Sequence, residues 1–508
     1  MAATPAELPP TEPGIGFAPD ASGSRSTQAA GRRILAAALE PLHADHAAQA
    51  LAERDWRQGY PRHWRHLVED SLAAPGAVVA GAQAGLQAAW QSMEWRTAAG
   101  TCSLAAALDG ADASGWRTVT LQGEGDPAPQ PWSVPLGDRL LQGDALLRQI
   151  DDWCQRGIIE PGAAEALARC VAHPEWFDLR DRTLVLLGAA SEAGPLAWLL
   201  RWRANLVAVD RDRPAVWQRL AALARTGNGV LHAPLRGDAG GSVPGVDLLR
   251  DAPALAAWLA TWRGTLDIAA LAYLDGERHV RLVLAMDMVQ AALCAARPDT
   301  GLAFLATPTD VFVVPRAVQD AAQSRYAQRP LASRIAQGAL ALVAGRRFFQ
   351  PPYSSANAPP EGAYGVADSL VLQQGPNYAL AKRLQQWRAI VARAAGHRVS
   401  LNVAPSTTTA SVLGNPALAA GFAGADLFGV EVFAPATTNA LMAALWVHDL
   451  RHSGAPAHPA TRLAHPLAHF MEQACHGGLW RCPYLPRSAL PFAAAAGWLR
   501  QRGLAPRR

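Results

Sequence analysis

Short uninterrupted apolar runs alternate with longer stretches whose apolar residues recur three and four apart, and this alternation fills the middle of the chain. Arg182-Thr-Leu-Val-Leu-Leu187 is too brief for a helix and ends in glycine, which predicts a buried strand. The same reasoning predicts strands at Asn205–Asp210, Leu266–Tyr273, Gly301–Ala306 and Arg398–Val403. Helices are predicted between them at Pro195–Trp202, Pro214–Arg225, Arg278–Ala296 and Asn377–Ala395, with proline tolerated in a first turn. Such alternation implies an α/β fold built on a doubly wound parallel sheet over residues 179–415.

The flanks read differently. Residues 1–30 are rich in Pro, Gly and Ser without apolar periodicity, which predicts a flexible tail. Residues 31–178 carry helical spacing, as at Ile34–Leu39 and Asp144–Trp153, and form an additional N-terminal, mainly helical region. An insertion at about 311–375 interrupts the alternation with a helix at Ala332–Ala344 and a proline-rich loop at Phe348–Gly365. Residues 416–508 are expected to form C-terminal helices, including Ala436–Leu450 and Pro466–Cys475.

Composition narrows the function classes. Half of the 508 residues are hydrophobic and 17% are charged, a globular balance. The net charge of +4 is small and its arginines are scattered, so nucleic acid is not an expected partner. Six dispersed cysteines without a CxxC pair are expected to be reduced thiols. The first residues lack the basic start and apolar stretch of a leader, and no run of about 18 apolar residues occurs. The expectation is a cytoplasmic protein without a membrane span, of open oligomeric state, acting on a small and rather apolar molecule. His448 with His452 and His465 with His469 have spacings that can hold zinc, and Cys475 and Cys482 flank His476. No third ligand stands at a known spacing, so no metal site is expected.

Candidate chemistry lies inside the α/β region. Gly188-Ala-Ala-Ser-Glu-Ala-Gly194 joins the first predicted strand to a helix, where glycines let the backbone approach a pyrophosphate and the helix start offers N–H donors. Gly188, Ser191 and Gly194 are the loop contacts expected. Asp210 ends the next strand, where a carboxylate can accept from both adenosine ribose hydroxyls. This half fits NAD, NADP or S-adenosylmethionine equally well.

The second half separates them. Tyr378 and Lys382 stand four apart at the start of the helix after the fifth strand, and Lys382 is the only lysine in the chain. The next strand runs into Asn402-Val-Ala-Pro405. Together, Leu187–Gly194 as a variant of TGxxxGxG, Tyr378-Ala-Leu-Ala-Lys382 as YxxxK and the Asn402–Pro405 turn resemble the short-chain dehydrogenase/reductase family over residues 180 to 412. Leu187 and Glu192 depart from the first motif, Ser406 replaces a glycine after the turn, and the asparagine motif after the fourth strand is replaced by Leu271–Asp275.

The resemblance implies a Rossmann-like domain binding NAD or NADP, with Lys382 and Pro405 near the cofactor. It implies hydride transfer to a carbonyl or from a secondary alcohol, with Tyr378 exchanging the proton. Lys382, on the same helix face, is expected to favour the phenolate. The family's serine has three candidate replacements here, Thr307, Thr309 and Ser369. Asp210 favours NAD, whereas Arg211 and Arg213 can bind a 2′-phosphate. Two other readings stay open: a nucleotide-binding relative without turnover, and an S-adenosylmethionine-dependent methyltransferase.

Overall fold

The computed structural model describes residues 12–237, 243–344, 347–352 and 363–503. Its centre is a seven-stranded sheet: β1 (Trp116–Gln122), β2 (Thr183–Leu187), β3 (Asn205–Val209), β4 (Val230–Arg236), β5 (Leu266–Ala270), β6 (Gly301–Ala306) and β7 (Val399–Val403). Their order across the sheet is β7-β6-β5-β2-β3-β4-β1, with β2 to β7 parallel and β1 antiparallel to β4. Every residue of β5 and β7 is buried, because helices cover both faces, and this includes the polar Asp267, Ser400 and Asn402.

One face carries the helices Leu248–Ala260, Glu277–Ala296 and Gly375–Ala394, packed with Thr27–Leu39, Trp56–Ala73 and Val78–Gln91 from the N-terminal region. The other face carries Gly143–Arg156, Pro161–Ala172, Pro214–Thr226 and Pro435–Arg451. The region over 31–178 is therefore spread across both faces and shares their cores, and it supplies edge strand β1. Among the described residues one helix is long and apolar enough to cross a membrane, Glu277–Ala296, and most of it is buried in the first core.

Three expectations need correction. The tail expected over 1–30 contains a buried strand, Gly14–Phe17, paired with Met93–Thr97; its two glycines hide the alternation, and Arg281 Nε holds it by donating to Ile15 O at 2.7 Å. The helix expected at Pro195–Trp202 is only Leu196–Leu199, because the chain turns through Arg203, at φ +60°, to enter β3. The helix expected at Pro466–Cys475 is a 3₁₀ segment, Pro466–Phe470. It is held in place by His469 Nε2, 2.8 Å from Val399 O. In the insertion, Val311–Pro315 and Tyr364–Asp368 pair as an antiparallel hairpin around two helices, Arg316–Ala327 and Leu331–Ala344. Most of the expected 348–365 loop lies outside the described residues.

Candidate functional site

Strand order reverses between β2 and β5, and the loops leaving them diverge there into a cleft of about 1070 Å³ at the C-terminal ends of the strands. Gly188, Ser191, Asp210 and Arg211 line one part of it, and Thr307, Thr309, Tyr378, Lys382 and Pro405 another. Residues 190 apart in sequence thus share one cavity. Gly194 and Ser369 are not among its lining residues. Ser369 is buried behind it, its N–H donating to Asp310 O, so it offers no hydroxyl to a ligand.

At the glycine turn, Gly188 adopts φ +97°, and a Cβ there would lie 2.4 Å from Ala272 N at the end of β5. Only glycine fits that approach. Asp210 is used differently from the expectation. Its Oδ2 accepts from Ala190 N–H at 2.9 Å and its Oδ1 from Arg211 N–H at 2.9 Å, so the carboxylate holds the turn while facing the cleft. Glu192 reaches across the opening and accepts from Ala410 N–H at 2.7 Å. The four-residue helix that follows contributes little macrodipole.

The helix Gly375–Ala394 presents Tyr378 and Lys382 one turn apart. Thr307, one residue beyond β6, stands near the phenol, and its Oγ1 lies 2.8 Å from Thr309 Oγ1. Lys382 does not act on the phenol as expected. Its Nζ donates to Leu305 O at 3.2 Å and Gln385 Oε1 at 3.3 Å. Burial pushes the phenol up to about 12, with Thr307 working against that rise. Burial pushes the ammonium down to about 8, with Asp310 opposing.

Two participants carry no signal in the sequence. His279 opens the helix Glu277–Ala296, is 1% exposed and stacks on Tyr378 with centroids 5.7 Å apart. Neither ring nitrogen has a hydrogen-bond partner, and burial together with Lys382 holds the ring neutral. A neutral imidazole lining the cleft can both donate to and accept from a bound molecule. Asp310 is the other. Its Oδ1 accepts from Arg383 at 2.9 Å and its Oδ2 from Gln386 at 2.8 Å, tying the Thr307–Thr309 turn to the helix of Tyr378.

The lysine shift has a measurable consequence. Lys382 binds its proton less tightly folded, near 8, than at its ordinary 10.5, so the unfolded chain holds more protons between those values. Stability of the wild type relative to Lys382→Met is therefore expected to rise with pH across that window and to be level outside it. Paired denaturation curves from pH 7 upward measure this, and a level difference throughout would remove the shift.

The remaining constellations are structural. His465 Nδ1 caps the 3₁₀ turn through Leu467 N–H, and Nε2 meets Ser71 O at 3.2 Å. His448 is buried beside His452, centroids 5.0 Å apart. Cys475 and Cys482 are buried thiols pushed upward by burial, while His476 lies 2.7 Å from Glu160 Oε1. Among the described residues no three His, Cys, Asp or Glu side chains come together to hold a metal. Comparison with protein families, with curated proteins and with solved structures found no match for the chain.

Proposed function

We propose that the chain is an NAD(P)-dependent oxidoreductase of the short-chain dehydrogenase/reductase type, reducing a carbonyl or oxidising a secondary alcohol. The observation that carries this reading is the single cleft lined by Tyr378, by the sole lysine one helical turn away, by Thr307, and by Gly188 and Asp210. Strands β4-β3-β2-β5-β6-β7 run in the 3-2-1-4-5-6 order of doubly wound dinucleotide-binding sheets, which favours a Rossmann-like reading. A cavity near the upper end of usual ligand sites leaves room for a cofactor beside a substrate.

The residues present fit such a cofactor. Glycine at 188 lets the turn pack against the Ala272 backbone at the floor of the cleft, and Asp210 keeps lone pairs toward the cleft for a ribose. The nicotinamide ring, when bound, supplies or accepts the hydride. Tyr378 then donates its proton to the substrate oxygen in reduction and receives it in oxidation, with Thr307 orienting that oxygen. Lys382, braced by Leu305 O and Gln385, would have one N–H left to donate to a cofactor ribose. Leu418, Phe422, Phe428 and Leu490 line the far part of the cleft, which favours an apolar substrate.

A nucleotide-fold protein without turnover is the second reading. Two contacts favour it: Asp210 is engaged by the glycine turn, and Glu192 spans the opening. Thermal denaturation with NADH, NADPH or S-adenosylmethionine tests both. A dinucleotide at a hundred times its Kd is expected to add about 2.7 kcal/mol of stability. Stabilisation by NADH over NADPH assigns the role of Asp210. Stabilisation by S-adenosylmethionine alone would sink the oxidoreductase reading.

A further inference from the structure

The insertion helix Leu331–Ala344 carries apolar side chains on both sides, with Leu340 and Ala341 half-buried toward the protein. Its residues facing the protein include Ser333 and Gln337, the latter donating to Tyr484 Oη at 2.7 Å. Its outward face carries Leu331, Ile335, Leu342 and Val343, exposed by 68%, 64%, 89% and 88%. A helix serving only the fold would keep its outward face polar. Exposed apolar side chains this contiguous mark a surface that meets another apolar phase.

Charge identifies that phase. From Ala321 to Pro360 the sequence holds five arginines (Arg325, Arg329, Arg334, Arg346, Arg347) and no acidic residue, against a net +4 for the whole chain. Arg334 and Arg347 are exposed, one on the helix border and one just beyond its end. A second copy of this chain, docked helix to helix, would oppose like charges across the contact. An anionic bilayer satisfies both features at once: acyl chains for the apolar face, headgroups for the arginines.

We propose that the helix Leu331–Ala344 lies in the surface of an anionic membrane, its apolar face buried among the lipids. The helix reaches the cleft through one intermediate. Phe348 and Phe349, just after it, pack on Phe492 of the helix Pro486–Gln501, and Ala489 and Leu490 of that helix line the cleft. Membrane seating thus sets the apolar part of the cleft beside the phase from which an apolar substrate comes. That last step rests on the oxidoreductase reading; the membrane contact does not.

The full chain is mixed with sedimenting vesicles of phosphatidylcholine alone or with phosphatidylserine added, at low and high salt. Two exposed arginines are expected to strengthen binding about thirtyfold when phosphatidylserine is present, and salt is expected to reverse this. Ile335→Glu with Leu342→Glu is expected to abolish sedimentation without moving the thermal midpoint, since both positions are exposed. Arg334→Glu with Arg347→Glu is expected to remove the anionic preference. Failure to sediment, equal binding to neutral vesicles, or a dimer that dissociates in the Ile335/Leu342 variant would each overturn the proposal. The dinucleotide melting experiment is independent of all of these outcomes.

Discussion

Tyr378→Phe is expected to lower turnover by about 10²- to 10⁴-fold while leaving dinucleotide binding unchanged. The substitution deletes one oxygen. The ring remains, and with it the stack on His279 at 5.7 Å and the contact with Tyr273 at 6.2 Å. On the oxidoreductase reading, what disappears is the proton that reaches the substrate oxygen as hydride arrives at its carbon. With the phenol pushed up to about 12, the wild-type group carries its proton throughout the neutral range, so the assay is run in the direction of reduction. The measurement is oxidation of NADH or NADPH with a panel of apolar ketones and aldehydes, beside a melting curve with the same cofactor. Equal turnover in wild type and variant would take Tyr378 out of the mechanism. Loss of cofactor stabilisation together with turnover would assign it a binding role instead. A smaller fall is expected for Thr307→Val, because it removes an orienting hydroxyl and keeps the proton donor.

How much of this was legible depended on whether a feature lay within one short stretch. Strands β2, β3, β5, β6 and β7 are rich in apolar residues because both faces are covered, broken only by Asn205, Asp267, Ser400, Asn402 and a first threonine, and they were readable to within a few residues. Strand β4, Val230-Leu-His-Ala-Pro-Leu-Arg236, escaped because its histidine and proline break the run. Strand β1 lies at the sheet edge with only Trp116, Val119 and Leu121 half-buried, so no apolar run marks it. The meeting of Tyr378, Lys382 and Thr307 was anticipated from motif spacing, but the choice among Thr307, Thr309 and Ser369 was not. The hairpin Val311–Pro315 with Tyr364–Asp368 carries Ser369 behind Asp310 and away from the cleft, which Thr307 and Thr309 both line. Lys382 was expected to serve the phenol from helix spacing alone. The carbonyl of Leu305, 77 positions earlier, claims it instead. His279 had no sequence signal, since a single histidine early in a helix gains meaning only when Tyr378 is found against its ring.

The Asp310–Arg383 pair is the support of this site, and its disruption is expected to cost stability as well as rate. Asp310 is 1% exposed and Arg383 4%. The carboxylate also accepts from its neighbour Val311 N–H at 2.7 Å, so all its bonds point inward to protein. Asp310→Ala leaves the guanidinium buried with Val311 O at 3.0 Å as its recorded partner. Breaking a buried pair in this way costs about 3–5 kcal/mol. Replacing both partners by apolar residues, Asp310→Leu with Arg383→Met, removes the stranded charge and is expected to recover much of that loss. The two substitutions should therefore be strongly non-additive in thermal midpoint. The rate should not recover with stability, because Asp310 follows Thr309 directly and Arg383 follows Lys382. With the pair gone, nothing ionic fixes the hydroxyl turn against the phenol, and kcat is expected to stay low with KM little changed. Full recovery of turnover in the stable double variant would make the pair purely structural. Additive losses in midpoint would show instead that the charges do not meet.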